Sequence, residues 1–130
     1  MVVRLTELVI DCHDPVALAT FWTAALDYHV VSADDEQIEI AAWQEEPPDQ
    51  RERVQAAATV PTLVFVRVPE GKAVKNRLHL DVRPTGSYDD ELQRLIDLGA
   101  KRVDIGQGGV PWVVLADPEG NEFCLLGPHP

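Results

Sequence analysis

His79 and Asp81 stand two residues apart in the run Lys75-Asn76-Arg77-Leu78-His79-Leu80-Asp81-Val82, and from Arg77 onward polar and apolar residues alternate. A period of two marks a half-buried strand. It puts Arg77, His79, Asp81 and Arg83 on one face and Leu78, Leu80 and Val82 on the other. An imidazole oriented by a neighbouring carboxylate can act as a general acid or base, with Asp81 or Glu7 as the orienting group. The same His–carboxylate pair can equally be a structural bridge between strands. Cys124 is the other chemistry-bearing residue. It lies in Asp117-Pro118-Glu119-Gly120-Asn121-Glu122-Phe123-Cys124-Leu125-Leu126, a tight turn feeding a strand. A thiol there is either a small buried apolar side chain or a soft metal donor. As a nucleophile it would need an electropositive setting, which its acidic neighbours oppose.

The strands that must carry these groups are legible from the same alternation. Leu5, Glu7 and Val9 share one face of the first strand, and Leu8 and Ile10 lie opposite. In the last strand Glu122, Cys124 and Leu126 share a face, which leaves Phe123 and Leu125 to pack under a helix. The polar faces either line a cleft or face water, as one side of an antiparallel sheet often does.

The element order occurs twice. Glu7-Leu8-Val9-Ile10-Asp11 and His79-Leu80-Asp81-Val82-Arg83 both read as strands leading into a helix. An ungapped shift carries Glu7 to His79, Leu8 to Leu80, Ile10 to Val82 and Leu26 to Leu98. The first helix starts at Asp14-Pro15, with Asp as N-cap and Pro at the first helical position. Leu18, Phe21, Trp22, Ala25 and Leu26 form its apolar stripe. The second starts at Ser87, which with Asp90 resembles a capping box, and Gly99 is placed to end it. Strand-like runs follow at residues 29–32, 37–42 and 62–68, then at 102–105, 112–116 and 122–126. Both halves therefore read β-α-β-β-β, an internal duplication with modules of about 1–69 and 70–130. Residues 43–61 are polar and contain Pro47-Pro48, which predicts a long loop, either a lid or a mobile insertion. Gly106-Gln107-Gly108-Gly109 reads as a hairpin turn and has no phosphate-loop Lys. Trp22 on the helix stripe is a core residue, whereas Trp43 and Trp112, at strand or loop edges, are candidates to line a pocket.

Bulk properties narrow the functional classes. The 130 residues form one domain's worth of chain, with 45% hydrophobic and 25% charged residues, as in an ordinary globular protein. A formal net charge of -11 argues against nucleic acid and would mildly favour a cationic ligand. No run approaches the roughly 20 apolar residues of a membrane span. Residues 1–7 lack the basic start and apolar run of a signal peptide. The expectation is therefore a cytoplasmic protein whose Cys12 and Cys124 are free thiols.

The duplicated βαβββ order, Phe21-Trp22, His79 at the start of the second module and Asp117-Pro118-Glu119-Gly120-Asn121 before the last strand resemble the vicinal oxygen chelate superfamily. That group holds glyoxalase I, extradiol dioxygenases and bleomycin-resistance proteins. Residues 75–81 and Glu122-Phe123-Cys124 are similar to its glyoxalase-like domain branch. The resemblance implies an α+β fold in which two βαβββ modules form a cupped mixed-sheet cleft with helices outside, and it implies a homodimer. It also implies a metal held from the first and last strands of each module, which falls here on Glu7, Val66, His79 and Cys124. Val66 offers no donor atom and Cys124 is a soft thiol. A divalent metal is therefore disfavoured as cofactor, and the reduced set Glu7, His79 and Cys124 is one that Zn²⁺ would accept.

The function implied is that of a small-molecule-binding protein. If it is an enzyme, it resembles a lyase, isomerase or dioxygenase in which Glu7 and His79 are catalytic. Asp81, Arg77, Trp43, Trp112, Glu122 and Cys124 are the candidate binding residues. The alternative is a non-catalytic, bleomycin-resistance-type protein that sequesters its ligand.

Overall fold

The computed structural model describes residues 2–44, 60–103 and 112–127. Most of the polar segment expected as a loop and the Gly106–Gly109 turn lie outside these. The elements are β1 (Glu7–Cys12), α1 (Pro15–Leu26), β2 (His29–Ala33), β3 (Gln37–Ala41) and β4 (Thr62–Arg67). They are followed by β5 (Leu80–Val82), α2 (Tyr88–Leu98), β6 (Lys101–Arg102), β7 (Trp112–Ala116) and β8 (Glu122–Leu126). The chain divides into Met1–Gly71 and Lys72–Pro130. Each unit carries one four-stranded sheet, in the orders β1-β4-β3-β2 and β5-β8-β7-β6. In both, the outer first strand runs parallel to the last strand and the remaining pairs are antiparallel. The α+β class and the duplicated βαβββ order are thus what the sequence predicts.

In the first unit Asp14 caps α1, accepting from the Ala17 backbone N–H at 3.2 Å, and Pro15 follows in the first turn. The helix buries Leu18, Ala19, Phe21 and Trp22 and packs on β3 and β4. Phe21 and Trp22 meet edge to face with ring centroids 5.1 Å apart. Residues paired across a ladder share a face. The register therefore puts Leu8, Leu63 and Ile40 in one row, and Ile10, Phe65 and Ile38 in the next. Phe65 and Ile40 are fully buried, so this is the core face. At roughly 25 cal/mol per Å² of apolar surface, side chains of this size each contribute about 2–3 kcal/mol.

In the second unit Ser87 accepts from the Asp90 N–H at 3.4 Å, opening α2. Gly99 closes it at φ 123°, a conformation that favours glycine. Leu92 and Leu95 are buried from the helix, and Phe123, Leu125 and Leu115 from the sheet.

Three expectations require correction. The strand expected across residues 79–83 is β5, only Leu80–Val82, so His79 lies just before it. Leu78, expected on the apolar face, is 78% exposed. Ahead of the ladder, which begins with Leu80 opposite Phe123, the Asn76 side-chain amide donates to the Glu122 carbonyl at 3.1 Å. Of the strand expected at 102–105, Arg102 belongs to β6 (Lys101–Arg102), Val103 lies beyond it, and residues 104–105 are outside those described. Among the described residues no helix is long and apolar enough to cross a membrane.

Candidate functional site

The turn between β7 and β8 sets the register on which the site depends. Asp117 accepts from the N–H groups of Glu119 and Asn121 through one carboxylate oxygen, both at 3.0 Å. Its own backbone N–H donates to Asn121 at 2.9 Å, and Gly120 turns the chain at φ 84°. An Asx turn of this kind satisfies backbone groups that a tight turn leaves without ladder partners. With the turn fixed, Ala116 faces Glu122, Val114 faces Cys124 and Trp112 faces Leu126. On the other side of β8, Asp81 faces Cys124. One face of the second sheet therefore carries Asp81, Glu122, Cys124 and Trp112 together, four of the residues that the sequence nominates.

His79 joins them from the segment before β5. Its Nε2 lies 3.1 Å from Asp81 Oδ1, with both side chains about half exposed. Cys124 is buried beneath them. Ligand atoms of His79, Asp81 and Cys124 all lie within 4.8 Å of one another. Burial first, then the negative charge of Asp81 and a hydrogen bond to it, pushes the Cys124 thiol above its ordinary value, and Lys75 opposes this least. The thiol is therefore protonated and a poor nucleophile at neutral pH, in keeping with its acidic surroundings.

Glu122 occupies the same face but is committed elsewhere. It pairs with the Lys72 ammonium at 3.1 Å and accepts from the Asn76 backbone N–H at 3.4 Å. Arg77 is exposed. Trp112 opens β7 with 36% of its surface exposed.

Glu7 and Trp43 belong to the first unit. Glu7 faces Thr62 in the parallel ladder and is exposed, and Trp43 is half-buried two residues beyond β3. Val66 pairs with Asp11 and Gln37 on the Glu7 face and brings no donor to it. The four-position metal set implied by the resemblance is thus deficient in the first unit. Sequence reading missed Glu39, a residue only 5% exposed whose carboxylate accepts from the Thr62 hydroxyl at 2.7 Å. Ladder pairing puts Glu39, Val64, Thr62 and Glu7 on one face. Alternation in Gln37-Ile38-Glu39-Ile40 gives that face, but no local signal gives the burial.

The comparisons agree with this architecture. A family model described as "Glyoxalase-like domain" matches residues 7–126. Among solved structures, a glyoxalase/bleomycin resistance protein/dioxygenase family enzyme from Burkholderia phytofirmans PsJN is 16% identical. It has a TM-score of 0.65, over 95% of this chain and 97% of that one. The fosfomycin resistance protein of Mesorhizobium loti is 13% identical with a TM-score of 0.68, covering 99% and 94%. The trypanothione-dependent glyoxalase I of Leishmania major is 15% identical with a TM-score of 0.63, covering 97% and 87%. No curated protein matches the sequence significantly. At such identities the structures show a shared fold, and the family model shows membership. The chain belongs to the glyoxalase-like domain family of the vicinal oxygen chelate superfamily.

Proposed function

We propose that this chain binds a small oxygenated molecule on the polar face of its second sheet, with His79 and Asp81 at the ligand's polar end and Trp112 against an apolar or planar part. The observation that carries the reading is the convergence of these groups on one face, with His79 and Asp81 3.1 Å apart. Leu126, the ladder partner of Trp112, is two residues from Cys124, about 7 Å along the strand. A small ring-bearing metabolite spans that length. In the enzymatic form of this reading, His79 moves a proton on the ligand while Asp81 orients the imidazole, as a lyase, isomerase or dioxygenase of this fold would require.

Two observations favour the sequestering alternative. Val66 leaves the first-unit position of the family's metal set without a donor, and a net charge of -11 suits a cationic compound. A thermal-shift panel of oxygenated metabolites and cationic antibiotics separates the two. A ligand at about 100 times its dissociation constant adds about 2.7 kcal/mol to stability, and the melting temperature rises by several degrees. Stabilisation with turnover that His79→Ala abolishes assigns an enzyme, and stabilisation without turnover assigns a binder. In either case Trp112→Ala is expected to weaken binding. Stabilisation unaffected by both substitutions would contradict the site.

A further inference from the structure

We propose that Glu122 and Asn76 form a latch that positions His79, acting through the short arch of chain that carries it and not through contact with a ligand. The inference takes its functional meaning from the proposed role of His79. It goes beyond that reading by assigning the residues that put the imidazole in place.

The latch follows from where two anchors fall on β8. Asn76 is tied to Glu122 twice. Its side-chain amide donates to the Glu122 carbonyl at 3.1 Å, and its backbone N–H donates to the Glu122 carboxylate at 3.4 Å. Leu80 opens β5 opposite Phe123, the next residue of β8. Residues 76 and 80 are therefore fastened to neighbouring positions, about 3.3 Å apart along the strand. Four extended steps from 76 to 80 would reach about 13 Å. Even with the length of the Asn76 side chain added to the gap, the chain between the anchors has to arch. It bends at Arg77 and Leu78, and Arg77, Leu78 and His79 are all exposed.

His79 is the last residue of this arch. The ladder holds its C-terminal side at Leu80 and the latch closes the other end at Asn76. A three-residue arch closed at both ends has few conformations, and the one adopted puts His79 Nε2 3.1 Å from Asp81 Oδ1. Opening its base at Asn76 lengthens the free segment back toward Lys72, and a longer loop samples more conformations. The Glu122 carboxylate is itself fixed, because its other oxygen pairs with the Lys72 ammonium at 3.1 Å and both side chains are mostly buried. One carboxylate thus grips two points of the segment that leads to His79. With both oxygens engaged by its own chain, Glu122 is a positioning residue whose effect on a ligand passes through the imidazole.

Nuclear Overhauser contacts in the full chain, measured with no ligand added, test the latch directly. The His79 ring protons are expected to show a contact to the Asp81 β-protons. Glu122→Ala and Asn76→Ala are each expected to lose that contact while the cross-strand contacts Leu80–Phe123 and Asp81–Cys124 remain. Glu122→Gln keeps an acceptor oxygen for the Asn76 N–H and should restore the His79–Asp81 contact in part. A contact that persists in both alanine variants overturns the proposal, since the ladder alone would then place the imidazole. Its absence from the unsubstituted chain does so too. Loss of the cross-strand contacts together with it overturns the proposal equally, because the latch would then hold the strand and not His79. Failure of the ligand reading shows elsewhere: a ligand that stabilises the unsubstituted chain and His79→Ala alike contradicts that reading and leaves these contacts unchanged.

Discussion

Burial costs the Glu122 carboxylate solvation, but hydrogen bonds from its own backbone N–H, Lys72 and Asn76, with the Lys72 charge, outweigh that cost and hold its pKa below the ordinary 4.5. A carboxyl lowered in the folded state contributes stability that is complete above the unfolded value. That contribution is lost as the pH falls through the folded value. The Lys72–Glu122 latch, which ties the segment before β5 to the start of β8, should therefore weaken in acid. Lys72→Met is expected to lower the melting temperature near neutral pH by an amount equivalent to roughly 1 kcal/mol. The difference between the two proteins should shrink as the pH falls below about 4. A gap that persists unchanged at low pH would show that Lys72 acts through packing and not through the Glu122 charge. In the first sheet the buried Glu39 carboxylate accepts from the Thr62 hydroxyl at 2.7 Å.

At the scale of elements, the site is only as well placed as the β7–β8 hairpin. Asp117 satisfies two turn N–H groups with one carboxylate oxygen, and the register that follows brings Cys124 opposite Val114 and Trp112 opposite Leu126. Asp117→Ala leaves those N–H groups without their acceptor and should cost about 1–3 kcal/mol. Asp117→Asn retains an acceptor oxygen and should cost less. Chemical denaturation of both variants checks the ranking, and equal losses would mean that the turn does not depend on the oxygen. The helices and most strands were legible because their signals are local. Asp14-Pro15, Ser87 and Gly99 act within one turn of the chain, and the apolar stripe of α1 follows from its own spacing. β5 was read too long because alternation from Arg77 to Val82 is a strand pattern, yet a strand also needs a partner backbone. Before Leu80 the chain is tied to β8 through side chains, with the Asn76 amide donating to the Glu122 carbonyl. The burial of Glu39 was invisible for a similar reason, since its face is fixed by pattern but its cover is tertiary.

For the whole molecule, duplication is the dominant fact. Two units with the same element order and the same strand order arise from two half-sequences with little identity, because hydrophobic period and turn chemistry, not residue identity, specify each sheet. The chemistry is not duplicated with the fold. His79, Asp81 and Cys124 converge in the second unit, whereas the equivalent region of the first offers Glu7, Thr62 and Glu39 around an apolar Val64 and Val66. That asymmetry follows from the residues present and was legible at Val66 and Cys124, while the role of Asp81 depended on a register that only the structure supplies. The homodimer that the family resemblance implies is tested by light scattering at micromolar concentration, where a dimer mass is expected and a monomer would contradict it. We propose that this protein meets its ligand on the face of the second sheet that carries Asp81 and Cys124. Chemical-shift mapping of the isotope-labelled chain, titrated with the compound that stabilises it most, tests this most directly. The largest changes are predicted at His79, Asp81, Trp112 and Cys124, and changes confined to residues off that face would contradict it.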